Sequence, residues 1–425
     1  MNIALISYHT CPLATLGGKD TGGMNVYVRD LTRSLGELGI HADVFTRSQD
    51  EHVPHVLHDL GYGNRIVHIP AGPETPLPKE QLYTHLDTFT ENIQEFAQTK
   101  AIHYDLIHSH YWLSGLAALK LREQWQVPVL QMFHTLAYLK NRIAKTPEEL
   151  EGPLRIESER KLVQQADGII AATEIEKEEL QRHYEADAGK IRVLPPGVDL
   201  CRFYPIPQDE AKAVIGIPPQ EKVILYVGRI EPLKGIDNLL KAIAVLRKSN
   251  VLATCPHYVA IIGGDPDRPR ELLDQEMRHL QDMNHCLGLD DMVVFLGKKA
   301  QDSLPYYYSA SEVVVMPSHY ESFGMVALES MACGTPVIAT KVGGLEWLVQ
   351  DEVTGLSVPD DDPESLAVQL RRMICKEGLR EQLSKNCLEF ARGFSWSIIT
   401  KKLSALYQQF TSSNLQDGHV HSSRG

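Results

Sequence analysis

The sequence predicts an α/β protein built from two open, doubly wound parallel sheets. Three observations lead there. The chain has 425 residues, too many for one ordinary core. Short apolar runs alternate throughout with helix-length amphipathic segments, the grammar of βα units around parallel sheets. Near the middle, Pro195-Pro196-Gly197-Val198-Asp199 interrupts that grammar, because two prolines and a glycine break any regular element.

In order along the first half, strands are expected at 3–7, 42–46, 65–69, 106–108, 127–133, 168–172 and 191–194. A second series follows at 223–227, 258–262, 293–296, 313–316 and 337–339. Each is a short, nearly continuous apolar run, as strands covered on both faces require. The expected domains are 1–195 and 196–393, alike in grammar without being sequence repeats. Behind Phe394-Ser395-Trp396, residues 398–410 read as a helix with Ser395 as its N-cap. Residues 411–425 are polar and small, and are expected to be disordered.

Hydrophobic content of 43% and charged content of 23% are ordinary for a globular protein. The net charge of −13, with no long basic run, argues against nucleic acid and against a cationic membrane face. Seven cysteines are dispersed without C-x-x-C spacing, which fits reduced thiols. The first residues enter a strand at once and show no signal-peptide pattern, and no run of about 18 apolar residues exists to span a bilayer. A cytoplasmic location is expected.

The most informative stretch is Glu321-Ser322-Phe323-Gly324-Met325-Val326-Ala327-Leu328-Glu329, after the expected strand 313–316. Glu321 falls in a loop and Glu329 about two turns into the following helix. Such a loop at the carboxyl end of a parallel strand is where open α/β sheets bind nucleotides. A carboxylate there accepts hydrogen bonds from neutral donors such as sugar hydroxyls. Two solvated glutamates on a helix are the plain alternative.

Other loops agree. Gly17-Gly18-Lys19-Asp20-Thr21-Gly22-Gly23-Met24-Asn25 follows the first strand and precedes a helical pattern over 26–38. Its glycines would let backbone N–H groups approach a phosphate. It is no dinucleotide fingerprint, since neither G-x-G-x-x-G nor a P-loop occurs. Gly228-Arg229-Ile230-Glu231-Pro232-Leu233-Lys234-Gly235 places an Arg and a Lys five apart after a strand. They could clamp a diphosphate, Arg by a fork and Lys by a point charge. His134 closes the expected strand 127–133. His108 and His110 share a strand face, but no Cys or acidic partner adjoins them, so no metal site is assigned. Asp360-Asp361-Asp362-Pro363 reads as a loop and helix start rather than a metal site.

These residues resemble the retaining glycosyltransferases of GT-B fold. The Glu, seven residues, Glu pattern that marks their sugar-nucleotide site is intact as Glu321 and Glu329. The resemblance covers residues 1 to about 410. It implies two Rossmann-like domains facing across a cleft, an acceptor-binding domain first and a nucleotide-sugar domain second, with 394–410 crossing back to the first. It implies that Glu321 holds donor-sugar hydroxyls and that Glu329 grips the ribose. The N–H groups of Phe323, Gly324 and Met325 would face sugar and diphosphate. Gly22 and Gly23 would line the donor site, Arg229 and Lys234 would stabilise the leaving diphosphate, and His134 would lie beside the anomeric carbon.

Within the family, Gly22-Gly23-Met24-Asn25, His108-Ser109-His110-Tyr111-Trp112 and His134-Thr135-Leu136-Ala137 look like the branch that adds N-acetylglucosamine to inositol phosphate. Asn25, Lys79, Tyr111, Thr135 and Arg155 match the family's acceptor residues, the last four its phosphate pocket. A composition rich in Gln, His and Ile leans instead to the compact sucrose-phosphate branch, with UDP-glucose and fructose 6-phosphate as substrates. The implied partners are a nucleotide sugar and a sugar or polyol phosphate, with no metal or other cofactor needed. The chain would act as a monomer or homodimer. A non-catalytic nucleotide-sugar binder, a nicotinamide oxidoreductase and a sugar phosphorylase are the competing classes.

Overall fold

The computed structural model describes residues 1–15, 21–144, 146–249 and 257–421, with side chains to 412. The chain divides into two compact units. One contains Met1–Ala14, Gly23–Gly197 and Trp396–Gly425, and the other Thr15–Gly22 and Val198–Ser395.

The first unit is built on eight strands: β1 Asn2–Ile6, β2 His41–Arg47, β3 Val56–Leu57, β4 Arg65–Ile69, β5 Leu106–His110, β6 Val129–Met132, β7 Gly168–Ala171 and β8 Ile191–Val193. Their order is β3-β4-β2-β1-β5-β6-β7-β8. All neighbours are parallel except β3, which runs antiparallel to β4. Chain order reverses between β1 and β5, so that point is the sheet's topological switch. The two-residue β3 escaped the sequence reading because it has no apolar run of its own. The strand expected over 127–133 is shorter, as Pro128 lies just before β6.

The second unit carries β9 Lys222–Val227, β10 His257–Ile262, β11 Val293–Gly297, β12 Val313–Met316, β13 Val337–Thr340 and β14 Gly355–Val358. Their order is β11-β10-β9-β12-β13-β14, all parallel, with the switch between β9 and β12. β14 was not expected. Its four residues, Gly-Leu-Ser-Val, alternate too briefly to stand out, yet a Cβ on Gly355 would lie 2.1 Å from the Val337 carbonyl oxygen. Glycine at that position is what lets the edge strand approach β13.

Helix Trp396–His421 belongs to the first unit. It packs on helix Gly23–Glu37, and the Tyr407 hydroxyl and buried His108 Nδ1 share a hydrogen bond of 2.7 Å. Trp396 meets Tyr27 edge-on at 5.4 Å. The helix runs through 411–421, where composition alone predicts disorder; residues 422–425 lie outside the described residues, as do Gly17, Gly18, Lys19 and Asp20 of the glycine-rich loop. A helix anchored over its first three turns needs little more than adequate propensity to continue. None of the described helices is long and apolar enough to cross a membrane.

Removing the Tyr407 hydroxyl leaves a buried imidazole nitrogen without its bond, a loss of about 1–3 kcal/mol. Tyr407→Phe is therefore expected to lower the urea midpoint and to speed proteolysis within 396–412. An unchanged midpoint would show that the helix does not dock through this contact.

Candidate active site

The carboxyl end of the second sheet is built by backbone crowding. Gly235 has φ +61, and a Cβ there would lie 2.0 Å from the Pro317 carbonyl oxygen. Gly343, at φ +47, would meet the Glu321 carbonyl oxygen at 2.1 Å, and Gly344 would meet the Phe323 Cα at 2.4 Å. Gly344 donates its N–H to that same Glu321 carbonyl at 2.8 Å. His319 joins in: its N–H bonds the Leu233 carbonyl at 2.9 Å, and its Nδ1 lies 2.8 Å from Asp360. The loops after β9, β12 and β13 are thus locked together around the switch point.

On that frame Lys234 Nζ meets Glu321 Oε2 at 2.5 Å, both side chains being mostly buried. Arg229 pairs with Glu231 at 2.7 Å, while the Tyr226 hydroxyl donates to the Arg229 carbonyl at 2.9 Å. A Cβ on Gly22, in the segment grouped with this unit, would stand 3.6 Å from Arg229 Nε. Gly23 opens helix Gly23–Glu37 of the other unit. Helix Met325–Ala332 starts behind Gly324, which adopts φ +105 and offers no side-chain cap. Phe323 is buried in an aromatic group with Trp347, itself packed against Phe390 and Phe394. Glu329 is the fifth residue of that helix, one turn in rather than two. It is buried and accepts from Tyr308 at 2.9 Å and from Gln301 at 3.3 Å.

The first unit gathers a second set of groups at its own switch point. Tyr111 follows β5 with φ +78, a rare backbone for a non-glycine residue, and caps helix Trp112–Trp125. The Arg155 guanidinium lies over its ring, 4.7 Å from the centroid, and Lys79 Nζ lies 5.7 Å from the same centroid. Arg155 donates to both the carbonyl and the hydroxyl of Thr135 at 3.0 Å. Lys79, Tyr111, Thr135 and Arg155 therefore converge. Asn25 is elsewhere in its contacts: fully buried, it donates to Thr10 at 2.7 Å and to the Cys11 carbonyl at 2.8 Å, holding the loop after β1.

Residues that the sequence reading missed fix this cluster. Glu159 is fully buried and accepts from Arg155 Nε at 2.8 Å, from the Ala137 N–H at 3.0 Å and from the Tyr184 hydroxyl at 2.5 Å. Glu151 lies 2.7 Å from Arg155 Nη1 and also pairs with Lys140. Burial by itself would lower the Arg155 pKa, but Tyr111, Glu159 and Glu151 carry it above its ordinary value. Burial would raise Glu151, and Arg155 and Lys140 pull it below the usual carboxylate range. Buried Arg47 donates to the Ala71 carbonyl at 2.8 Å and to the Thr75 carbonyl at 3.0 Å, fixing the loop that leads to Lys79. The i,i+4 spacing of Arg155 and Glu159 was a legible signal; the rest had none.

His134 has φ +62, and its Nε2 lies 3.1 Å from His110 Nδ1. The rings of His108 and His110 are 4.3 Å apart, and Tyr27 stands edge-on to both His110 and His134. Desolvation pushes His134 and His108 down to about 3 and His110 well below its ordinary value; the neighbouring imidazoles add to the shift for His108 and His110. Among the described residues no group of three His, Cys, Asp or Glu side chains is placed to hold a metal ion. Asp362 instead caps helix Pro363–Cys375 through the Ser365 N–H at 2.9 Å.

Two doubly wound sheets, each with cationic and polar side chains gathered at its switch point, define an α/β class that binds ligands at the carboxyl ends of its strands. Comparison makes the class specific. Residues 21–202 match the family described as Glycosyltransferase Family 4, and residues 207–389 match Glycosyl transferases group 1. D-inositol 3-phosphate glycosyltransferase of Actinosynnema mirum is 40% identical over 408 residues, 96% of this chain and 97% of that protein. The Nocardiopsis dassonvillei protein of the same name is 40% identical over 413 residues, 96% and 94% of the two chains. Sucrose-phosphate synthase from Thermosynechococcus elongatus superposes with a TM-score of 0.87 at 35% identity, covering 97% of this chain and 99% of that one. The chain belongs to this glycosyltransferase family; it is a glycosyltransferase with the paired α/β domains of the GT-B fold.

Two outcomes test this description. A Cβ at Gly344 must displace the loop carrying Glu321, so Gly344→Ala is expected to cut kcat/KM for glycosyl transfer at least ~10-fold, about 1.4 kcal/mol. Parent-like activity would show that the loop is not held this way. For the histidines, the folded pKa of about 3 lies below the ordinary 6.5. Between those values the unfolded chain binds the protons, so stability is full above about pH 6.5 and declines as pH falls toward 3, by ~1.4 kcal/mol per pH unit for each such histidine. His108→Asn should flatten the slope of unfolding free energy between pH 6 and 4.5 by about one proton; an unchanged slope would mean that His108 is not held neutral.

Proposed function

We propose that the protein is a retaining hexosyltransferase that moves a sugar from a nucleotide donor to an acceptor bearing a phosphomonoester. The observation that carries this reading is the convergence of Lys79, Tyr111, Thr135 and buried Arg155 in one unit. Two cations and two hydroxyls suit a phosphoryl dianion, which accepts several charge-assisted hydrogen bonds at once. In the other unit, Arg229 and Lys234 are assigned to the donor's diphosphate and Glu321 to its sugar hydroxyls. The Lys234–Glu321 pair supports a joint role, since each fixes the other's side chain at the switch point. The N–H groups of Phe323, Gly324 and Met325 add donors at a helix start. Glu329, oriented by Tyr308 and Gln301, is assigned to the ribose.

In this reading the donor bond breaks and the acceptor attacks on the same face, through an oxocarbenium-like state. Arg229 and Lys234 stabilise charge on the departing diphosphate, whose oxygen takes the acceptor proton. His134 is held neutral by its buried surroundings, so its ring contacts the sugar without adding a charge.

For the substrates, UDP-glucose and fructose 6-phosphate are our first reading, supported by the full-length likeness to a sucrose-phosphate synthase. UDP-N-acetylglucosamine with inositol 3-phosphate is the second, supported by the 40% identity to proteins named for it. A matrix of UDP-glucose, ADP-glucose, GDP-mannose and UDP-N-acetylglucosamine against fructose 6-phosphate and inositol phosphate, scored by product mass, separates them. We expect sucrose 6-phosphate from the first pair and no product with unphosphorylated fructose. Equal rates with and without the phosphate would sink the phosphate-pocket reading. Lys234→Ala at saturating donor should lower turnover ~10-fold or more, about 1.4 kcal/mol; a loss under about threefold would remove Lys234 from the mechanism.

A further inference from the structure

Arg155 has almost no donor left to offer. Its side chain is 3% exposed. Nε is taken by Glu159 at 2.8 Å, and Nη2 by the carbonyl and hydroxyl of Thr135 at 3.0 Å. The face of the guanidinium is covered by Tyr111. Only Nη1 remains: it is buried and makes no hydrogen bond among the described residues. At that position stands the Glu151 carboxylate, 2.7 Å away as an ion pair. A phosphoryl oxygen approaching Arg155 has to take Nη1, and Glu151 is in its way.

Glu151 is mounted so that its side chain can yield while its backbone stays. Its N–H donates to Asn141 Oδ1 at 2.6 Å, and its carbonyl accepts from Asn141 Nδ2 at 3.1 Å. Its carboxylate is already shared with Lys140. Leaving Arg155 therefore does not strand a buried charge, which would otherwise be strongly disfavoured.

We infer that Glu151 is a displaceable counter-ion of the acceptor pocket. An incoming phosphoryl group takes over Arg155 Nη1, and Glu151 falls back on Lys140. This rests on the phosphate reading of the pocket and deepens it. Glu151 sets a threshold: a ligand displaces a carboxylate from Arg155 only by bringing more charge than a carboxylate. A phosphomonoester, near −2 at neutral pH, does so, while a carboxylate or an uncharged sugar does not. Glu151 is thus a selectivity element for dianionic acceptors, acting through Arg155.

The test uses the full chain with three readouts: KM for the phosphorylated acceptor, KM for the nucleotide sugar, and inhibition by inorganic phosphate. Glu151→Gln is expected to lower the acceptor KM and the phosphate inhibition constant ~3-fold or more, with the donor KM as the unmoved reference. Lys140→Met ties Glu151 more firmly to Arg155 and should raise the acceptor KM. The double variant should match Glu151→Gln, since Lys140 acts only through Glu151. If Glu151→Gln folds poorly, Glu151→Asp, which keeps the charge but shortens its reach, is expected to shift phosphate inhibition the same way. An acceptor KM that stays put or rises in Glu151→Gln, while Arg155→Lys raises it, overturns the counter-ion role alone. An acceptor KM unaffected by Arg155→Lys overturns the phosphate reading beneath it.

Discussion

Backbone touching backbone is the constraint on which the loops at the carboxyl end of the second sheet depend. At Gly235, Gly343 and Gly344 a single added carbon would sit 2.0–2.4 Å from a neighbouring main-chain atom. No side chain can be accommodated at such distances, so the loops after β9, β12 and β13 are spaced by the peptide units themselves. Gly263 extends the same rule to the loop after β10, where a Cβ would lie 2.0 Å from the Gly228 carbonyl oxygen. A Lys and a Glu carried on two of these loops then meet with little freedom left to lose. Preorganisation of this kind is what the proposed stabilisation of a departing diphosphate would draw on.

The first unit solves a different problem, that of keeping an arginine buried. A guanidinium deep in a protein is strongly disfavoured unless its charge and its donors are answered. Glu159 answers the charge and also ties down the start of helix Ala137–Ile143 and the Tyr184 hydroxyl. Thr135 answers two donors. The unsatisfied remainder is confined to one nitrogen, and that confinement gives the pocket its direction. The histidine group is governed chiefly by desolvation, to which the neighbouring imidazoles add for His108 and His110, so three buried rings stay neutral at ordinary pH.

Much of this was legible in the chain, and for identifiable reasons. Apolar runs of strand length record which segments are covered on both faces, so the alternation of strands and helices could be read directly. Gly228 to Gly235 and Glu321 to Glu329 are contiguous, and contiguous residues carry their chemistry on the page. The strands that escaped, β3 and β14, are two and four residues long and owe their existence to a neighbouring strand's free edge. The helix through 411–421 escaped because composition reports propensity and is silent on the preceding docked turns.

By itself, the order of residue types determined a pair of parallel-sheet units and the kinds of groups carried by the loops after their strands. Tertiary structure decided which of those groups became partners. Lys234 and Glu321 are 87 positions apart, and His108 and Tyr407 are 299 apart. Such pairings follow from strand order and from where each loop leaves its sheet, neither of which leaves a periodic trace in sequence. The same holds for Glu151 and Glu159 around one arginine: as letters they are two acids on a charged stretch, and only burial separates the carboxylate that must stay from the one that can move.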